Sequence, residues 1–480
     1  FGGYVSMDGS STTGTLLVNP YAELVKGYRQ YNRSTLMPQI EIKQNLDFFT
    51  KGLNFRAMGY AKRYSYGQTS RSYNPFYYTA RLDPADNTIQ LKVLNDGSVG
   101  SIGTTGQEFL GYGSSGSDIN STLYLEAALN YARNFGKHDV SGMLITLFQD
   151  YKIARDNITS LQLGLPKRNN GLSGRFTYGY DNRYLAEFNF GYNGSERFHE
   201  TKRFGFFPSF GLAYRISNEK FFESLKPVIS DLKLRATYGI IGNDAIGSDT
   251  DRFFYLSQVN IGDGGYGSTF GYDYGYSKPG VSVSRYANHE ISWEQSRQIN
   301  LGFDLSFLNN SINIIADFYR DNKSHILEAR SHIGSTIGLQ AIPMSNTGKV
   351  ERQGFDVSID YNKSLSTGWF FQYRANATFA QSKIIKRDEL LYPDNMGYRY
   401  QVGHSVSQAF GLIAERLFID DYEVSNSPAQ QFGDYLAGDI KYRDMNGDEI
   451  ITSNDAVPIG YPTSPELIYG FGGTTGFKGI

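Results

Sequence analysis

Apolar and polar residues alternate with a period of two over long stretches of this chain. In 299–307, Ile299, Leu301, Phe303, Leu305 and Phe307 fall on one face, with Asn300, Gly302, Asp304 and Ser306 on the other. Residues 232–240 repeat the arrangement, setting Leu232, Leu234, Ala236, Tyr238 and Ile240 against Lys233, Arg235, Thr237 and Gly239. In 369–379, Trp369, Phe371, Tyr373, Ala375, Ala377 and Phe379 oppose Gln372, Arg374, Asn376 and Thr378. Successive side chains of a strand point to opposite faces, so this pattern predicts strands whose two faces meet different surroundings. Further strands are expected at 123–131, 140–149, 184–192, 204–214, 312–318 and 355–361, and about fourteen candidates in all. Each core pattern covers about 9–11 residues, the length a tilted strand needs to cross a bilayer. Aromatics stand at several ends (Tyr131, Tyr184, Tyr192, Tyr214, Tyr361 and Trp369), where an interfacial girdle would place them. A soluble sandwich with one wet face would produce the same residue pattern.

The connections separate the two readings. Tight turns are expected at 134–138, 181–182 and 308–310, each followed at the far end of the next strand by a longer link. The long links cover 151–171, the Gly/Tyr/Asp-rich stretch 242–289, and 322–349. Strict alternation of short and long links is the habit of outer-membrane barrels, which keep tight turns at the periplasmic rim and long loops outside. By that parity 216–230 belongs to the periplasmic rim, and 362–368 joins Tyr361 to Trp369. A membrane strand needs a neighbour on each side, and Ile480 lacks a terminal aromatic, so the chain is expected not to close a barrel alone.

Composition sharpens this reading. The chain has 480 residues, with 53 Gly, 37 Tyr and 33 Phe against 14 Pro, and is 15% aromatic, yet its mean hydropathy is −0.41. An apolar outside around a polar inside reconciles these values. No apolar run approaches the roughly 18 residues of a membrane helix. A net charge of −2 gives no basic field for nucleic acid. Cysteine is absent, which excludes disulfides and thiolate metal sites. Phe1-Gly2-Gly3-Tyr4 has neither the basic nor the apolar region of a secretory leader, so the sequence reads as a mature or truncated piece.

Several local motifs carry a resemblance. The run from Leu165 to Tyr178, Leu-Pro-Lys-Arg-Asn-Asn-Gly-Leu-Ser-Gly-Arg-Phe-Thr-Tyr, is followed by Arg183-Tyr184-Leu185-Ala186-Glu187 and by Gly191-Tyr192-Asn193-Gly194-Ser195-Glu196-Arg197-Phe198. Then come Phe207-Pro208-Ser209 with Gly211, and Leu234 to Gly239 with Gly242-Asn243. Trp293-Glu294 before Asn300-Leu301-Gly302, Asn346-Thr347-Gly348 through Gly354-Phe355-Asp356, and Gly438 to Asp444 complete the series. In this order, over roughly residues 20–480, the chain resembles the barrel of SusC/RagA-like TonB-dependent transporters. The resemblance implies an all-β, transmembrane antiparallel β-barrel, part of a plugged barrel of about 22 strands, with long extracellular loops. It implies import of a large solute, a glycan or peptide, across the outer membrane of Bacteroidetes-type bacteria. It also implies a SusD-like surface lipoprotein over the mouth, TonB energy coupling, and a pair of transporter–lipoprotein units. Residues 1–480 would be a partial barrel domain, with plug, TonB box and closing strands outside the sequence.

Few constellations suggest chemistry. Residues 444–455 fit a twelve-residue calcium loop, with Asp444, Asn446, Asp448 and Asp455 at positions 1, 3, 5 and 12, and a backbone carbonyl from Ile450 at position 7. Ile451 fills the apolar position 8. Glu449 stands where the turn glycine belongs, and Asp455 is shorter than the usual Glu. A polar turn held by Asp and Asn side chains is the competing reading. Calcium is therefore a candidate, and no cofactor is required. Gly111-Tyr112-Gly113-Ser114-Ser115-Gly116 spells GxGxxG, but no helix follows, and a flexible loop is expected. His138, His199, His289, His325, His332 and His404 are scattered; only His325 and His332 share a link. Asp420-Asp421 reads as a solvated turn. Tyr255, Tyr266, Tyr272, Tyr274 and Tyr276 lie among glycines in one long link and offer flat area with a hydroxyl, suited to sugars or a protein partner. The expected function is non-enzymatic import through a lipid-embedded barrel. The alternatives are a stand-alone siderophore or cobalamin receptor and a surface glycan-binding or adhesion β-protein.

Overall fold

A computed structural model describes residues 20–155, 161–247 and 252–478. The chain forms two compact units, one drawn from 1–41, 58–125 and 149–167, the other from 42–57, 126–148 and 168–480. The strands up to the second unit's main run are β1 (Gly27–Leu36), β2 (Gln39–Asn45), β3 (Leu53–Ser72), β4 (Tyr78–Leu82), β5 (Ile89–Val93), β6 (Gly111–Phe135) and β7 (His138–Arg155). In the first unit β1 pairs antiparallel with β3, from Gly27 opposite Ser72 to Leu36 opposite Arg63, and β4 pairs with β5. Asn95, wholly buried, pins the chain after β5. Its amide donates to the Pro75 and Thr104 carbonyls at 2.9 Å each and its oxygen accepts from the Tyr77 N–H at 2.9 Å.

The second unit continues with β8 (Lys167–Tyr180), β9 (Tyr184–Ser195), β10 (Phe204–Arg215), β11 (Ile229–Asn243), the hairpin β12 (Gln258–Phe270) and β13 (Tyr276–Arg285), then β14 (Glu294–Phe307), β15 (Ile312–Ala329), β16 (Met344–Ser364) and β17 (Trp369–Lys386). Six short strands follow: β18 (Ala409–Gly411), β19 (Ala414–Leu417), β20 (Ala429–Gln430), β21 (Ile440–Tyr442), β22 (Ile450–Ile451) and β23 (Val457–Ile459), before β24 (Leu467–Phe477). The main run is an up-and-down meander: β8, β9, β10, β11, β14, β15, β16, β17 and β24 each pair antiparallel with the next.

Register keeps the alternating faces aligned from strand to strand. Tyr178, Ala186, Leu212, Ala236, Leu301, Phe318, Phe355 and Phe379 form one row of partners. The next row toward the turns is Tyr180, Tyr184, Tyr214, Leu234, Phe303 and Ala316. Leu212 is 65% exposed and Leu301 56%, because no protein covers this face. An apolar face of such extent on a barrel strand is covered by lipid.

The turns fall at one rim. Asp181 and Asn182 both take positive φ, 52° and 51°, and the Arg183 N–H donates to the Tyr180 carbonyl at 2.9 Å. This is the mirror-image turn that matches strand twist. Leu308, Asn309 and Asn310 turn β14 into β15 with φ of 52°, 57° and 63°. Beside these turns Tyr184 stacks on Tyr214 at 5.0 Å and Tyr361 on Tyr373 at 6.0 Å, an interfacial band.

Two expectations need correction. The strands outrun the alternating cores: β16 has 21 residues and β15 has 18, since pairing continues past the bilayer where both faces are wet and alternation fades. Link length does not alternate strictly either. Residues 196–203 at the long-link rim are fewer than 216–228 at the turn rim, so rim identity is kept while length is not.

Candidate functional site

The polar face of the second unit is densely paired. Arg235 grips Asp317 with two hydrogen bonds of 3.0 Å and reaches Asp304 through Nε at 3.1 Å. Arg175 meets Glu187 at 2.8 Å, and the Asn189 amide donates to the same carboxylate at 2.7 Å. Arg374 Nε lies 2.5 Å from Asp360, and Lys323 2.9 Å from Glu294. Alternation supplies most of these positions: apart from Lys323, which is flanked by Asn322 and Ser324, each charged residue is one step from an apolar residue on the opposite face. Beside the Arg235 network lies a hollow of about 1080 Å³, whose wall includes Asn189, Ser209, Thr237, Gln298 and Asn300. With Lys233 and Arg235 on this wall paired to Asp304 and Asp317, amides and hydroxyls such as Asn189, Ser209 and Thr237 remain for solute contact.

At the long-link rim the quoted sequence motifs converge. Phe198, Ile246, Phe254, Ile291 and Trp293 form a buried cluster, with Phe207, Leu327 and Met344 packed against it. Trp293 stands 5.3 Å from the Phe198 ring and 5.2 Å from the Phe207 ring, and its indole N–H donates to the Arg203 carbonyl at 3.2 Å. Asn243 donates to Glu294 at 3.0 Å. Asn346 accepts from the Ser292 N–H at 2.9 Å and donates to the Ser292 carbonyl at 3.1 Å and the His325 carbonyl at 2.7 Å. Gly242 leaves room for Phe207, since a Cβ there would sit 2.0 Å from that ring. Arg252, almost fully buried, pairs with Glu196, while Arg197 donates to the Ile246 carbonyl at 2.7 Å. Residues from five separate motifs thus clamp the long links onto the strand ends. Sequence reasoning found the motifs but not their meeting.

The predicted metal loop is well ordered internally. Asp444 accepts from the Gly447 N–H at 2.7 Å and the Glu449 N–H at 2.8 Å. Asn446 accepts from the Asp448 N–H at 3.0 Å, and Asp448 from the Ile450 N–H at 2.9 Å. Asp455, fully buried, accepts from the Met445 and Thr452 N–H groups at 2.9 Å each. Glu449 adopts φ +63°, the left-handed conformation that the turn glycine of a calcium loop supplies. Among the described residues no group of three or more His, Asp and Glu is arranged to hold a metal ion.

Other candidates fall in separate places. Gly111 to Gly116 belong to β6, a strand and not the expected loop, and a Cβ on Gly113 would sit 2.5 Å from the Ser70 hydroxyl. Strand pairing overrode the Gly/Ser composition. Asp420 caps the short helix Asp421–Ser425 by accepting from the Glu423 N–H at 2.8 Å. His138 bonds the Tyr178 hydroxyl at 2.8 Å. His325 contacts Ser324, whereas His332 shares Asp388 with Arg330 at 2.5 and 2.6 Å. Burial works against the Asp388 charge, but His332 and Arg330 outweigh it and hold the carboxyl below its ordinary range. His199 stacks on His289 at 4.4 Å with Tyr255 at its edge, and His404 sits edge-on to Phe410. Tyr255 is therefore parted from the other loop tyrosines. Tyr266 and Tyr276 lie on the β12–β13 hairpin, and Tyr272 and Tyr274 at its tip are fully and largely exposed.

Comparisons with known proteins agree with this geometry. The family model described as "TonB dependent receptor-like, beta-barrel" matches residues 2–457. TonB-dependent receptor P26 of Formosa agariphila is 27% identical over 317 residues, covering 64% of this chain and 30% of the relative. TonB-dependent receptor SusC of Bacteroides thetaiotaomicron is 30% identical over 236 residues, covering 49% of this chain and 22% of the relative. Among solved structures, the RagAB peptide transporter superimposes with a TM-score of 0.62 at 18% identity, covering 99% of this chain and 49% of the other. The chain thus spans about half of that transporter chain, and less of the curated relatives.

Proposed function

Because this chain belongs to the TonB dependent receptor-like β-barrel family of the outer membrane, we propose that it forms part of the wall of an importer for a large solute. The solute is a glycan, an oligosaccharide or a peptide. Import runs beneath a SusD-like surface lipoprotein, is energised by a TonB complex acting through other parts of the protein, and involves no chemistry on the cargo. The observation that carries this reading is the two-faced wall: an uncovered apolar face backs a polar face whose ion pairs are closed among themselves, leaving amides and hydroxyls around the 1080 Å³ hollow. Such a wall binds by hydrogen bonding and releases readily, which transport requires. The motif resemblance to SusC/RagA-like transporters supports the solute class, the lipoprotein and a pair of transporter–lipoprotein units, and the RagAB peptide transporter shares the fold. The exposed tyrosines of the β12–β13 hairpin suit contact with that lipoprotein or with solute.

The test is purification of the full-length protein from its native outer membrane in mild detergent, followed by mass spectrometry. A stoichiometric SusD-like lipoprotein and a retained glycan or peptide are expected. An intact full-length barrel that purifies alone and binds metal chelates would replace this reading with a stand-alone receptor.

A second reading concerns residues 444–455, for which the left-handed Glu449 favours calcium. Millimolar calcium is expected to protect this segment from proteolysis, with the protection abolished by Asp444→Ala. Identical cleavage with and without calcium leaves a polar turn.

A further inference from the structure

The apolar face carries a groove near the turn rim. Its volume is about 810 Å³, and its lining includes Ala186, Leu212, Tyr214, Leu234, Ala236 and Phe303. Leu212 is the register partner of both alanines, Ala186 on β9 and Ala236 on β11. Two methyl side chains in a row otherwise built of Tyr, Leu and Phe leave the depth. The groove is ligand-sized, and it is continuous with the lipid-facing surface.

The level of the membrane boundary beside it is fixed by hydrogen bonds. The hydroxyls of Tyr184 and Tyr214 both donate to Glu219, at 2.8 and 3.2 Å. These rings therefore have their bodies at the groove and their polar tips in water, as interfacial tyrosines do. Glu219 opens the 216–228 link that joins β10 to β11, the strands at the centre of the groove. On that link Lys220 and Lys226 are exposed on either side of the exposed Glu223; Glu219 is taken by Arg183 and the two tyrosines, and neither lysine makes an ion pair among the described residues. Phe221 (68%), Leu225 and Val228 beside them are also exposed. Cations and apolar side chains together at an interface suit an anionic headgroup above an acyl chain.

We propose that this groove and the 216–228 link form a specific site for one glycerophospholipid of the periplasmic leaflet. An acyl chain lies across Ala186 and Ala236, and the phosphate meets Lys220 and Lys226. The leaflet follows from the tight turns, which mark the periplasmic rim; lipid A, the other acyl source in this membrane, occupies the opposite leaflet.

The experiment uses the full-length protein, purified in mild detergent and delipidated stepwise, then reloaded with phosphatidylglycerol and read by native mass spectrometry. The wild type is expected to retain one phospholipid after the bulk has gone. The double variant Ala186→Leu/Ala236→Leu, which fills the groove from the lipid side, should lose it, while Ala377→Leu, an apolar-face alanine outside the groove, should keep it. Lys220→Gln and Lys226→Gln should each weaken retention about fivefold; lying outside the strands, they leave the meander intact. Heat-modifiable migration confirms that every variant is folded. Equal retention by the filled groove, loss only with the lysines, preferential retention of lipid A, or a dimer that dissociates when the groove is filled would each overturn the proposal.

Discussion

The two ends of the β8–β17 meander are ordered by different means. Toward the turn rim, apolar side chains such as Leu212 stay mostly uncovered, and chain reversal is set by a few residues in the left-handed region with stacked tyrosines beside them. At the long-link rim, Phe198 and Ile291 are essentially inaccessible and Trp293 is 8% exposed, with a buried Arg252–Glu196 pair at their side. The difference follows from what surrounds each region. A strand in the bilayer needs no protein over its apolar face, because lipid removes that surface from water. A long link in water has no such cover and must build a small core of its own. One continuous run of strands therefore passes from a lipid-covered fold to a self-covered one.

Breaking the self-covered core should have the largest effect. Trp293→Ala is expected to cost the loop assembly about 3–5 kcal/mol. Limited proteolysis should then cut within 244–293 while the strands still migrate as a folded barrel on heat-modifiability gels. Concerted unfolding of strands and loops would show that the two regions are not separately ordered. Next in size is a charge on the lipid face. Leu301→Arg should destabilise by about 2–4 kcal/mol in urea unfolding from lipid vesicles, whereas its neighbour Asn300→Arg on the polar face should cost much less. Equal losses would contradict the assignment of faces.

The smallest effect concerns a loop ion cluster far from either core. Glu423 accepts from the Ile419 N–H at 3.0 Å, from Lys441 at 3.0 Å and from Arg416. These partners hold its carboxyl down to about 2 from an ordinary 4.5. A depressed carboxyl contributes fully above its ordinary pKa and loses that contribution as pH falls through the folded value. Pepsin cleavage within 414–442, relative to Glu423→Gln, should therefore be lower at pH 4.5 and converge with the variant as pH falls toward 2. A constant ratio would show that the cluster does not order this loop.

What could be read from the sequence follows the same division. The alternation of Ile299, Leu301, Phe303 and Phe307 is visible because lipid on one side and water on the other sort residues at every step. Strand ends were not legible. Arg320 and Glu351, which pair at 2.5 Å, sit on the apolar-side register beyond the membrane, where both faces are wet. The hairpin β12–β13 was hidden in a Gly/Tyr/Asp-rich link, and the strand over Gly111–Gly116 looked like a loop, because local composition favoured neither. Phe198, Asn243, Trp293 and Asn346 were recognised as motifs from resemblance alone. Their contact is made by register across strands far apart in sequence, which no local pattern encodes.

The central claim is that odd positions of 299–307 face lipid and even positions face the polar interior. The chain has no cysteine, so single cysteines at successive positions from 298 to 307 can each carry a spin label in the full-length protein in lipid vesicles. Collision rates with oxygen, which concentrates in hydrocarbon, are compared with those of a water-soluble nickel chelate. The expected result is a period of two, with oxygen preferred at 299, 301, 303, 305 and 307 and not at the residues between. Uniform oxygen preference, or a period near 3.6, would contradict the lipid-facing strand and the barrel wall built on it.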